Sequence, residues 1–189
     1  DPNIQKKMLS HRKISGFYTF QDGGKIGYVG SYERKFLMML DTLFNWPSND
    51  IIGPSPHVYY YDYKNKEYDE NHEGRKFYIP DYYIPSLNLE IEIKQQTSTN
   101  QEFNKINRVK EKLKDEIMNK NKKVNYLKIN DNDFRDFFAY LEESKKEDPE
   151  EIEKAMESCM IDVDKSNDEI AMESNRWIKE EAKLNAFNN

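Results

Sequence analysis

Asp81, Glu92 and Lys94 are the residues whose types and spacing could do chemistry together. In LEIEIK, residues 89–94, the apolar Leu89, Ile91 and Ile93 alternate with Glu90, Glu92 and Lys94. Side chains two apart on a strand share a face, so one side is greasy and the other carries two acids and a base. A surface strand of no special function reads the same way. Upstream, Pro85-Ser86 marks a short turn, and antiparallel strands joined there set Asp81 beside Glu92. Two carboxylates that close repel, and one takes up a proton unless a cation lies between them. Mg2+ suits such a pair, since it accepts one or two carboxylates, a main-chain carbonyl and several retained waters. Lys94, on the face of Glu92, can orient a water or steady charge on a phosphate. Unit charges about 4 Å apart interact by about 4 kcal/mol at an intermediate dielectric, so the location is consequential either way.

The elements that must position these groups follow from periodicity and turn signals. KISGFYTF and KIGYVG flank Asp22-Gly23-Gly24 and read as a hairpin. Ser31 reads as the cap of a helix over 32–45, ended by Pro47, with Phe36, Leu37, Leu40, Leu43 and Phe44 at helical spacing. Glu33 shares that apolar stripe, an odd place for a carboxylate, although the helix dipole favours acids in a first turn. HVYYYDY (57–63) predicts an aromatic strand, followed by a charged loop of about a dozen residues. Strands are expected over 76–84, with an edge, bulge or bend at Pro80, and over 88–94. Ile106, Val109, Leu113 and Ile117 predict a helix over 101–119, and VNYLKI (124–129) a strand. Asp131 reads as the cap of a helix carrying Phe134, Phe137, Phe138 and Leu141. Residues 3–13 predict a short basic helix, and 149–160 and 166–186 two amphipathic ones. Ile170, Trp177 and Leu184 form an apolar seam on the last of these, able to dock on the body or on another subunit.

The totals narrow the class. The 189 residues are 37% hydrophobic and 13% aromatic, enough for a core. No apolar run approaches the roughly 18 residues needed to cross a bilayer, and no secretory signal is expected at the start. Cys159 is the only cysteine, which excludes an internal disulfide and a cysteine-based zinc site and suggests a reducing compartment. His11, His57 and His72 are too scattered for a histidine metal site. The net charge of −6 is unevenly spread, with 15 acids against 7 bases from residue 142 onward. Residues 105–128 hold nine Lys or Arg against Glu111, Asp115 and Glu116. That stretch reads either as a patch for a phosphate backbone or as the solvated face of a helix.

Pro80-Asp81, then ten residues, then Glu92-Ile93-Lys94, resembles the signature of the PD-(D/E)XK nuclease superfamily, with Glu33 at the place of its leading helix acid. The order read above resembles that superfamily's αβββαβ core. The resemblance implies an α/β (α+β) fold, with a restriction-endonuclease-like core on a mixed sheet, an N-terminal hairpin and a C-terminal helical extension. It spans about residues 31–129, and the expected division is 1–30, 31–145 and 146–189. It further implies that Asp81 and Glu92 hold Mg2+ directly, with Mn2+ able to substitute. Ile93 would lend its carbonyl, Glu33 would reach the ion through water, and Lys94 would help activate the attacking water. Glu90 is a rival for the ion but is assigned to the periphery, because only Glu92 has a lysine two residues on.

The reaction implied is metal-assisted hydrolysis of DNA phosphodiesters. Lys105, Arg108, Lys110, Lys112 and Lys114 would then face the backbone, and Gln95 and Gln96 either touch DNA or simply end the strand. RKISGFYTF, GSYERKFL and IPDYYIPSLNLEIEIK look like phage-encoded, homing-endonuclease-like nuclease domains. Asp1-Pro2-Asn3 with Gln5 resembles the close of the DNA-binding repeats that precede such domains, so the chain is expected to be cut from something longer. The departure is QQTSTN after Lys94, where a glycine- and acid-rich turn is expected. The expected location is the cytoplasm of a bacterial host or the phage particle, with no membrane. The expected partners are DNA and a second copy or protein bound through the C-terminal helices, Trp177 being the candidate contact. The competing reading is a catalytically idle nuclease fold serving as a DNA-binding or assembly module, with the acidic tail as its protein contact.

Overall fold

A computed structural model describes residues 14–62, 67–68, 76–95, 101–144 and 146–163. The basic segment 3–13, the helix expected over 166–186 and its seam of Ile170, Trp177 and Leu184 lie outside the described residues.

The hairpin forms where its turn residues placed it. β1 (Gly16–Thr19) pairs antiparallel with β2 (Lys25–Tyr28). Asp22 accepts from the Gly24 N–H at 2.9 Å, and Gly23 takes the φ of 87° that a glycine tolerates. Helix α1 (Ser31–Phe44) follows, but Ser31 is its first residue and not its cap. Gly30 occupies the cap position at φ 82°, and Glu33 reaches back to accept from the Val29 N–H at 2.8 Å. The helix closes at Asn45, left-handed at φ 47°, before Pro47 is reached. Asp41, on α1 and 3% exposed, accepts from the Tyr18 hydroxyl at 2.9 Å and the Gln21 N–H at 3.0 Å, pinning the hairpin to the helix.

The expected strand over 76–84 is two strands in two sheets. β3 (Tyr59–Asp62) pairs with β4 (Glu67–Tyr68) and with β5 (Lys76–Tyr78). β6 (Tyr82–Ile84) instead pairs antiparallel with β7 (Leu89–Lys94), which pairs parallel with β8 (Asn125–Asn130). Pro80 stands between β5 and β6 with no N–H to continue a ladder, and its carbonyl accepts from the Ser55 N–H at 3.1 Å. The sheet of β6, β7 and β8 is therefore mixed, and α2 (Gln101–Lys120) is the crossover that makes its parallel pair possible.

β7 is covered on both faces, every residue but Lys94 being buried. Leu89, Ile91 and Ile93 join a core with Phe36, Leu37 and Leu40 of α1 and with Phe137, Phe138 and Leu141 of α3 (Arg135–Glu143). The opposite face lies under a second cluster of Tyr59, Tyr61, Tyr78, Leu113, Ile117 and Met118. The α3 cap expected at Asp131 is not formed there. Asp131 and Asn132 are left-handed at φ 52° and 57°, and Asp133 binds the Arg135 N–H at 3.2 Å. α4 (Pro149–Val163) buries Ile152 and Ala155 in the first core, so the start of the acidic extension packs on the body. The chain is thus a mixed α and β protein, and no described helix is long and apolar enough to cross a membrane.

Candidate metal and phosphate site

The register of β6 and β7 brings Asp81 and Glu92 together. Tyr82 pairs with Ile91, so the next position outward sets Asp81 opposite Glu92. The Lys94 carbonyl accepts from Asp131 N–H at 2.8 Å, which turns the backbone groups of Glu90, Glu92 and Lys94 toward β8 and those of Leu89, Ile91 and Ile93 toward β6. Asp81 and Glu92 are then a non-hydrogen-bonded pair, the kind whose side chains approach most closely. One step further, Pro80 falls opposite Ile93. The Asp81 carboxylate takes the Ile93 N–H at 2.8 Å in place of the ladder. Pro80 has no N–H for the Ile93 carbonyl, so the ladder offers that oxygen no donor.

Glu92 is 3% exposed, yet its carboxylate is enclosed by polar groups. Oε2 accepts from the Tyr78 hydroxyl at 2.7 Å, and Oε1 lies 2.7 Å from the Lys94 ammonium. Burial, and then the nearby Asp81 charge, push the Glu92 carboxyl up to about 7, against the pull of Lys94 and Tyr78. Burial acts to lower Lys94, but Glu92, Glu111 and Asp81 outweigh it and hold the ammonium above the ordinary lysine range. Lys94 is 34% exposed and so reaches the surface. The structure thereby joins three of the expected residues, Asp81, Glu92 and Lys94, around one spot next to the Ile93 carbonyl.

Glu33 is not joined to them. It is 7% exposed and accepts from Tyr82 Oη at 3.2 Å as well as from Val29, on the core side of β6. Among the described residues no three or more His, Cys, Asp or Glu side chains gather closely enough to hold a metal, so Glu33 does not complete a carboxylate triad. Its visible work is to tie the start of α1 to Tyr82, the residue next to Asp81. Glu90, which the sequence assigned to the periphery of the metal site, is fully buried and engaged away from Asp81 and Glu92, accepting from the Tyr59 hydroxyl at 2.8 Å and meeting His57 Nδ1 at 2.5 Å.

The basic stretch divides by environment. Arg108 is exposed, and Lys112, at 80% exposure, lies 3.9 Å from Glu116. Lys110 is half-buried. Lys114 is turned inward, 3.0 Å from Glu111 and over the Tyr78 ring at 5.0 Å, so it buttresses the site and is not part of an outer basic face. Lys128 joins it, 3.2 Å from Glu111 and 3.0 Å from Asp115. Glu111 stands 3.8 Å from Lys94 and links these lysines to the site, a role that no spacing signal in the basic run disclosed. Gln95 is exposed at the end of β7, while Gln96 and the Lys105 side chain lie outside what is described.

The raised Glu92 carboxyl has a measurable consequence. An acid whose folded pKa lies above its unfolded value holds its proton preferentially in the folded state, so its effect on stability worsens as pH rises from about 4.5 to about 7. Glu92→Gln should remove that slope. Relative to the parent, the variant is expected to gain at most about 3 kcal/mol between pH 5 and pH 7.5, read from urea unfolding at both values. A constant difference across that range would contradict the assignment of the titration to Glu92.

No family model matches this sequence, and neither a curated protein nor a solved structure matches it.

Proposed function

We propose that the protein is a divalent-metal-dependent DNA endonuclease of the PD-(D/E)XK kind, its core built on the mixed sheet of β6, β7 and β8 and helix α1. The observation that carries the reading is the Asp81–Glu92 pair, set opposite each other by strand register, with Ile93 facing Pro80, which has no N–H to give its carbonyl, and the Lys94 ammonium 2.7 Å from Glu92. Two hard carboxylates and a carbonyl are a donor set fitted to Mg2+, or to Mn2+ in its place. Asp81, Glu92 and Ile93 would hold the ion, while Glu33, on the core side of β6, would brace Tyr82, the neighbour of Asp81. When bound, the ion lowers the pKa of water and offsets charge on the phosphate.

The rest falls to the chain's own side chains. Asp81 keeps the Ile93 amide in line, which fixes the direction of the neighbouring carbonyl. Tyr78 holds one Glu92 oxygen, leaving the other to face Lys94. With Glu92 among the residues that would hold the ion, the Lys94 ammonium would be the group placed to donate to a water or to a non-bridging phosphate oxygen. Glu111, held below the usual carboxylate range by Lys94, Lys114 and Lys128 in spite of its burial, keeps Lys94 charged and near the surface. Arg108, Lys110 and Lys112 are available on α2 for backbone phosphates, and such contacts weaken steeply with salt.

The experiment is incubation of supercoiled plasmid with the protein in Mg2+ or Mn2+. Nicked or linear product that disappears with EDTA supports the reading. DNA binding without cleavage in either metal would favour the idle module, for which the exposed acids of α4 offer a protein-facing surface.

A further inference from the structure

Glu90 presents a feature that packing alone leaves unaccounted for. It is fully buried, and Oε2 has no hydrogen-bond partner while Oε1 receives both Tyr59 and His57. Leaving a buried acceptor without a partner is costly, the more so for a charged group, and an apolar side chain at this position would avoid that cost. The group gained for that cost is His57. Its ring sits edge-on to Tyr83 at 4.6 Å, its backbone N–H is tied to Ser55 Oγ at 3.1 Å, and Nδ1 is committed to Glu90. Among the described residues Nε2 has no partner, and the side chain is 41% exposed. A carboxylate that fixes one ring nitrogen so that the other is presented outward is the arrangement by which proteins orient an imidazole for use.

The register places this group. Tyr83 pairs with Glu90, one row along the same face from Asp81 and Glu92. Two residues of strand separate the rows by about 6.6 Å, comparable to the distance between successive phosphates of one nucleic-acid strand. Asp81, Tyr83 and Lys94 of this face and His57 beside it are partly exposed, while Glu90 and Glu92 are buried. We propose that His57, held by Glu90 and Tyr59, grips the substrate phosphate adjacent to the scissile one through Nε2–H. This rests on the nuclease reading, and it assigns His57 to substrate binding on the strand that is cut. The groups facing His57 are Glu90 from β7, Tyr59 from β3 and Tyr83 from β6. None of them offers a competing cation, so Glu90 and a phosphate would flank the ring from opposite sides.

Binding of a fluorescent duplex in Ca2+, which replaces Mg2+ without supporting turnover, separates this inference from the nuclease reading. His57→Ala should weaken binding about tenfold, a loss typical of one charge-assisted hydrogen bond. His57→Gln, which keeps a donor at a similar reach, should recover most of it. Duplexes carrying a single neutral methylphosphonate at successive positions should reveal one position where the parent loses affinity and His57→Ala loses no more. Circular dichroism matching the parent's confirms that each variant is folded. If parent and His57→Ala bind alike, the inference is overturned while the nuclease reading stands. If the parent itself binds no DNA, both fall.

Discussion

Asp81→Asn should fold, bind DNA and fail to cut it. The asparagine side chain retains an oxygen to accept from the Ile93 N–H, a bond that the carboxylate makes to β7. What it loses is a charge at the centre of the candidate site. Replacing second-shell partners of a metal typically costs 10- to 100-fold, so a direct ligand should cost at least about a hundredfold in cleavage rate. The same substitution removes the like charge that helps push Glu92 up, so the Glu92 carboxyl should ionise at lower pH than in the parent. Metal-free stability near neutral pH should consequently hold or rise. Plasmid nicking rates together with urea unfolding at pH 7.5 read both effects. A variant that cuts as fast as the parent, or that fails to cut because it has unfolded, contradicts this assignment.

Lys94→Ala should separate catalysis from metal binding. If the ammonium acts on water or phosphate, its removal lowers the cleavage rate by about 10²- to 10⁴-fold. Yet Lys94 also lies 2.7 Å from Glu92 Oε1 and so competes for an oxygen that would hold an ion. Without the lysine, Mn2+ should bind at least as tightly as in the parent once the pH is high enough to ionise Glu92, whose carboxyl loses one of the partners that lower it. Calorimetric Mn2+ titration at pH 8.5, paired with plasmid nicking, gives the expected signature of impaired cleavage with intact affinity. Equal losses in both would make Lys94 a structural prop, and an unchanged cutting rate would remove it from the reaction.

The alternation in LEIEIK told which residues would line each face of β7, because burial on a strand has period two. The Pro85-Ser86 turn was enough to predict Asp81 beside Glu92, since a short antiparallel connection allows few registers. Pro80 announced an interruption but not its form. Whether β5 stays with β6 or leaves for β3 depends on which aromatic strand finds a partner, and Tyr59, Tyr61 and Tyr78 carry no local signal of that choice. Caps were misread where a backbone angle decided them, as at Gly30, whose φ of 82° lets Glu33 do the tying that Ser31 was expected to do. Glu33 was legible as a misplaced carboxylate, yet its partner Tyr82 lies 49 residues away. His57 looked incidental as one of three dispersed histidines, because its meaning comes from Glu90, 33 residues on, and no spacing rule connects them. Glu111 and Lys114 were hidden for a related reason, since a basic run on a helix does not show which of its members turn inward.

The central claim is that one divalent ion is shared by two acids that strand register sets face to face. Crystals soaked in Mn2+ and measured for anomalous scattering test it directly. The account predicts a single strong peak between the Asp81 and Glu92 carboxylates, within bonding reach of the Ile93 carbonyl, and none in crystals of Asp81→Asn. A saturating soak that leaves this position empty, or that puts the peak at Glu33 or Glu90 instead, would contradict it.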